Sequence, residues 1–98
     1  MENDDLLPVE LLCTQYNIEV SFITSLTEFG LIEITTVEET SYLYKTQIKD
    51  LEKLIRLHYE LDINMEGIDA ISHLLKRVDN LHEELTALKN RLRLYENN

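Results

Sequence analysis

Positive charge is missing from the first 44 residues of this 98-residue chain. No Lys or Arg precedes Lys45, whereas Glu2, Asp4, Asp5, Glu10, Glu19, Glu28, Glu33, Glu38 and Glu39 all fall in that stretch. The nine basic residues follow, beside the other ten acids, so nine of the ten excess negative charges belong to residues 1–44. Phosphate neutralisation by Lys and Arg supplies most nucleic-acid affinity, so a cation-free half is a poor DNA surface. Anionic lipid would repel it as well. Such a half suits a basic protein partner or an ordinary solvated exterior.

Other scarcities narrow the class further. One cysteine, Cys13, excludes an intramolecular disulfide framework. With no signal-peptide pattern, it favours a reducing, cytoplasmic setting. No run of 18 apolar residues is present, so no membrane span is expected. Two Gly and one Pro leave little room for long loops or linkers. A hydrophobic content of 44% nevertheless belongs to a folded chain, and 98 residues make one small domain, with at most one extended appendage.

The pattern along the chain predicts mostly helix. Residues 1–7 read as a frayed acidic lead, with Pro8 in the first turn of a helix. Val9, Leu12, Cys13 and Tyr16 follow at i, i+3, i+4 and i+7, and Asn17 stops the helix. A second helix, about Glu19 to Phe29, buries Phe22, Ile23, Leu26 and Phe29 and ends at Gly30. Two helices separated by so short a turn form a helix-turn-helix pattern. Leu31–Ile34 and Ser41–Tyr44 are β-branched and aromatic, which predicts a short hairpin wing around polar Thr36–Thr40. The wing lacks the Asn-Gly or Asp-Gly pair that tight hairpins favour. A third helix, about Thr46 to Leu61, carries Ile48, Leu51, Ile55, His58 and Leu61 on one face. Asn64 can cap a last helix running to about Tyr95.

That last helix has the strongest periodicity. Ile71, Leu74, Val78, Leu81, Leu85, Leu88, Leu92 and Tyr95 are spaced alternately by three and four residues, a coiled-coil seam. A helix from residue 71 to 95 is about 36 Å long. A body of some 65 residues cannot cover it, so its natural cover is the same helix of a second chain. Homodimerisation through Ile71, Leu74, Val78, Leu81, Leu85, Leu88 and Leu92 is therefore expected. A parallel pair would bring Glu84 to Lys89 and Arg91 to Glu96 across the interface. The domain division that follows is an acidic helix-turn-helix module over 1–64 and a dimerisation helix over 65–98.

Chemistry-bearing motifs do not emerge. There is no His-Glu-x-x-His, Cys-x-x-Cys, glycine-rich phosphate loop or nucleophile–base spacing. No catalytic residue, metal site or cofactor is predicted. Cys13, on an apolar stripe, reads as a small core residue.

Helix, short turn, helix, Gly30-Leu31-Ile32, hairpin, helix and closing coil together resemble the MerR-type winged helix-turn-helix. The fold implied is mainly α, with a small β-hairpin wing and a C-terminal coiled-coil helix. DNA-binding members carry arginines on helix two and the wing; here the matching positions are Ser21 and Thr24, and the wing reads Val37-Glu38-Glu39-Thr40-Ser41. The Leu12-Cys13 region, Glu39-Thr40 and the run Arg56-Leu57-x-x-Glu60-Leu61-Asp62-Ile63 are similar to CbpM-type chaperone modulators, a protein-binding branch of this scaffold. That resemblance implies a non-enzymatic regulator that binds the J-domain of a DnaJ/CbpA-like co-chaperone and inhibits its stimulation of Hsp70. The candidate partner-binding residues are Glu19, Thr24, Glu28, Glu38 and Glu39. The alternative is a MerR-type DNA-binding transcriptional regulator, which needs a basic surface. MerR-like relatives pair their coils antiparallel, so both coil orientations stay open.

Overall fold

The computed structural model describes residues 5–96. In chain order these form β1 (Leu6–Pro8), α1 (Val9–Tyr16), α2 (Val20–Glu28), β2 (Ile34–Val37), β3 (Thr40–Tyr44), α3 (Ile48–Ile55) and α4 (Met65–Glu96). A 3-10 turn, Lys45–Gln47, leads into α3, and a π-helical turn, Arg56–Glu60, leaves it. The architecture is mainly helical, with a small antiparallel sheet at one side.

The first two helices end by the same device. Asn17 adopts a left-handed conformation (φ 56°), and the amides of Asn17 and Ile18 donate back to the carbonyls of Thr14 and Cys13. Gly30 repeats it (φ 75°), with Gly30 and Leu31 donating to Thr27 and Leu26. Each is a Schellman motif, which satisfies the carbonyls of the last turn and sends the following apolar residue inward. Ile18 is buried accordingly, and Leu31 packs half-buried against the core with Ile32 buried after it. This displaces Phe29 from the core face expected for it: α2 closes at Glu28, Phe29 lies at its C-cap, and its ring is exposed.

The sheet is larger than a hairpin. β3 lies in the middle, with β1 on one side and β2 on the other, both antiparallel. Leu43, 1% exposed, sits opposite Leu7 on one neighbour and Ile34 on the other, so three apolar side chains share one face over the helices. Leu6 and Leu7 are therefore strand residues and not a frayed lead, and Pro8 ends an edge strand where its missing N–H does no harm. The rest of the expected lead, residues 1–4, lies outside the described residues. The first wing strand starts later than expected, at Ile34, the second starts one residue earlier, at Thr40, and the turn between them is only Glu38-Glu39.

The third helix is three segments in place of one. Past Ile55 the hydrogen bonds widen, Leu61 N–H donating to Arg56 O and Ile63 N–H to Leu57 O, and Asp62 turns left-handed (φ 60°). Leu61 is consequently exposed, against the inward place its spacing suggested. Asn64 then caps α4: its side-chain oxygen accepts the Gly67 N–H at 2.8 Å. Ile63 and Ile68 occupy the positions of a hydrophobic staple around that cap. A Cβ on Gly67 would come within 2.7 Å of Ile63 Cγ2, so the cap requires glycine.

The core draws on every layer. Leu26 of α2, Leu43 of β3, Leu51 of α3 and Ile68 of α4 are all but fully buried. Val9, Leu12, Cys13, Phe22, Ile23 and Leu54 complete it. Burial, and secondarily the nearby Glu10 charge, raise the Cys13 thiol above its ordinary range, as suits a packing residue. Two polar links tie the layers. Tyr16 Oη donates to Glu52 at 2.7 Å, joining α1 to α3. The Gln47 amide exchanges two hydrogen bonds with the Glu33 backbone (2.8 and 3.0 Å), fixing the strand entry to the start of α3.

Only the start of α4 belongs to this body. From His73 onward each described residue of the helix is exposed, a free length of about 36 Å. The radius of gyration, 18.0 Å, exceeds the roughly 13 Å of a compact 100-residue domain for that reason. Among the described residues no helix is long and apolar enough to cross a membrane. Leu51→Ala should lower unfolding free energy by about 2–5 kcal/mol in a urea titration. A loss below about 1 kcal/mol would show that α3 does not anchor the core.

Candidate partner-binding surface

The face formed by α1, α2 and the wing holds an open groove of about 380 Å³. Its bed is apolar: Val9, Val20, Ile23 and Ile34. Its rim carries Glu10 from the first turn of α1, Glu28 from the last turn of α2 and Glu39 from the wing turn, with Thr24, Thr27, Thr40 and Ser41 between them. No cation lines it.

Of the five residues singled out from sequence, the groove brings together Thr24, Glu28 and Glu39. Glu19 and Glu38 are exposed but do not line it. Glu19 sits at the opposite end of α2, about 14 Å away along the helix. There its amide donates to Tyr59 Oη at 3.2 Å, and its carboxylate accepts from Ser21 Oγ at 3.2 Å. Tyr59 belongs to an aromatic group in which Phe22 stacks on His58 at 4.8 Å, and His58 Nδ1–H donates to Ile63 O at 2.9 Å. This packs the π-helical turn against the start of α2. Sequence reasoning passed over Glu10 and the bed residue Val20. Their signal was present in the cation-free stretch, but only the fold puts them beside the wing.

The acids differ in what they do to the fold. Glu19 stands at the positive end of the α2 dipole and stabilises it. Glu28 stands at the negative end, where a carboxylate costs about 0.3–1 kcal/mol and where α2 carries no basic residue to compensate. Glu38 and Glu39 are the two central residues of a two-residue hairpin, both at positive φ (51° and 70°). That is a type I′ turn, which Asn-Gly fits and which costs an ordinary residue about 1–2 kcal/mol. Two adjacent like charges occupy it here.

The seam residues of α4 are equally bare. Ile71 is half-buried, whereas Leu74 (61% exposed), Val78, Leu81, Leu85, Leu88 and Leu92 (59%) are left exposed by the other described residues.

Comparison with known proteins places this surface in context. The family described as MerR HTH family regulatory protein matches residues 7–90. The chain belongs to that family. Within the MerR family it is similar to the chaperone modulatory protein CbpM of Pseudomonas putida (strain W619), 29% identical over 87 residues, which cover 88% of this chain and 86% of that protein. CbpM of Pseudomonas entomophila (strain L48) is 28% identical over 88 residues with the same coverage. CbpM of P. putida strain KT2440 is 28% identical over 87 residues. The MerR helix-turn-helix and wing are thus accounted for, on a groove that no Lys or Arg of the described residues lines.

Replacing Glu38-Glu39 by Asn-Gly should raise unfolding free energy by about 1–2 kcal/mol, measured by denaturant unfolding with an unchanged m-value. No gain would mean that the turn carries no strain.

Proposed function

We propose that this protein is a non-enzymatic chaperone modulator that binds the J-domain of a DnaJ/CbpA-like co-chaperone and so keeps it from stimulating Hsp70. The observation that supports this best is the groove. A helix-turn-helix surface that would need cations to hold DNA presents carboxylates around an apolar bed. A J-domain offers a basic helix to Hsp70, and an acidic module covering that helix competes with Hsp70 for it. Complementary charge steers encounter and favours this partner over acidic ones. Glu19, Thr24, Glu28, Glu38 and Glu39 are the partner-facing residues in this reading, with Glu28 and Glu39 at its centre. The relatives named chaperone modulatory protein agree with it.

The second element of the proposal is a homodimer through Ile71, Leu74, Val78, Leu81, Leu85, Leu88 and Leu92. An exposed leucine seam of this length in water is explained by a second helix lying along it.

Two experiments test the reading. An immobilised J-domain should retain the full chain, and Glu28→Lys or a Glu38/Glu39→Lys double reversal should weaken retention about tenfold while leaving the far-UV circular dichroism unchanged. Unaltered affinity would move the binding face elsewhere, and a shifted band with DNA at low salt would favour a transcription factor instead. Separately, Val78→Asp should halve the mass seen by sedimentation equilibrium. A variant that keeps the wild-type mass would show that the seam does not join two chains.

A further inference from the structure

We propose that the groove between α2 and the wing is a socket for long cationic side chains, Lys or Arg, presented by a basic amphipathic helix. Their aliphatic stems lie on Val20, Ile23 and Ile34, and their charged heads reach Glu10, Glu28 and Glu39. This rests on the acidic face being the partner-binding surface, and it adds what the partner must display.

Three observations carry it. The first is the lining chemistry. The lining is mixed: Val9, Ile23 and Ile34 lie deepest, Glu10, Glu28 and Glu39 are exposed around them, and Thr24, Thr27, Thr40 and Ser41 add hydroxyls. Lys and Arg match that division, because their methylene stems bury on apolar surface while the head stays with charge and water. At about 380 Å³ the groove sits at the small end of ligand clefts, roughly 300–1,000 Å³.

The second is position. Glu28 lies at the wrong end of its helix dipole, and Glu39 holds a left-handed conformation at a hairpin tip. Val20, 53% exposed, is an apolar residue left facing water at the first position of α2. A cation with an apolar stem would pair with the two carboxylates and cover Val20 at once.

The third concerns the shape of the occupant. β2 is an edge of the sheet, but it is only four residues long and ends in a doubly charged, tightly twisted turn. Short, charged edges discourage strand addition, which leaves a helix as the element that can present two long side chains side by side.

The test has two arms, both on the full chain. In the first, the J-domain is titrated against the wild type, against Glu10→Gln/Glu28→Gln/Glu39→Gln, and against a charge-matched control, Glu60→Gln/Glu66→Gln/Glu83→Gln. The groove triple should lose about tenfold in affinity and the control less than about threefold. Equal losses would mean that only net charge matters, and an undiminished groove triple would overturn the socket while leaving J-domain binding intact. In the second arm, an amphipathic helical peptide carrying Lys is compared with one carrying 2,4-diaminobutyric acid, at a pH where both amines are protonated, so that the charge is kept and half the stem is removed. The Lys peptide should shift the methyl resonances of Val20, Ile23 and Ile34 and bind about fivefold or more tightly than its short-stemmed counterpart. Equal binding by the two peptides, or no shift at those methyls, overturns the proposal whether or not the J-domain binds. A failure of the J-domain alone, with the peptide still seated on those methyls, removes the co-chaperone reading and keeps the socket.

Discussion

Four side chains from four elements hold this fold together: Leu26, Leu43, Leu51 and Ile68. Each comes from a different piece of secondary structure, so none of α2, the central strand, α3 or the base of α4 can move without opening the core. The caps make that convergence possible. Asn17, Gly30 and Asp62 each turn the chain through a left-handed residue within two residues of a helix end, and each time the chain returns inward. With so few residues available for a core, the outer faces of α2, the wing and α4 are left free of packing duty.

Freedom from packing lets the distribution of acids be read as information. Glu10 and Glu66 lie in first helical turns, and Glu19 at the α2 N-cap, where a carboxylate helps the helix. Glu28, Glu38 and Glu39 lie where local physics disfavours them. A sequence under selection for stability alone would place Lys or Gln at the first and Asn-Gly at the other two. Sites that break local rules without a gain in the fold are where a functional demand is to be sought. In the reading proposed above, that demand is a cationic partner.

Much of this was legible in the sequence, and the parts that were not share a cause. The caps at Asn17, Gly30 and Asn64, the stripes of α1 and α2 and the α4 heptads depend on residues within seven positions of one another, so periodicity reveals them. β1 is three residues long and has no period of its own; only pairing with Leu43 and its neighbours makes it a strand. Phe29 and Leu61 fit their helical stripes on paper, but a Schellman turn and a π-helical turn ended each helix early. The Glu38-Glu39 turn was hidden because propensity argues against it. The groove was half visible: its acids were counted in the cation-free stretch, but Glu10 and Glu39, 29 residues apart, meet only through the fold.

The charge asymmetry noted at the start becomes a spatial one. Lys89, Arg91 and Arg93 lie about 25 Å or more along α4 beyond its last docked turn. At physiological ionic strength the screening length is about 8 Å, so within one chain those cations do not soften the field at the groove. Lys45, Lys49, Lys53, Arg56, Lys76 and Arg77 are nearer, on the 3-10 turn, α3, the π-helical turn and the first exposed turns of α4, but none lines the groove. The chain can therefore be mixed in charge over its second half and still show an approaching partner a strongly negative first half. A uniformly acidic chain would be more soluble but would attract cations everywhere. Concentrating the unbalanced charge in the first half, with Glu10, Glu28 and Glu39 around the groove, is the asymmetry that would orient a basic partner of the proposed kind before contact.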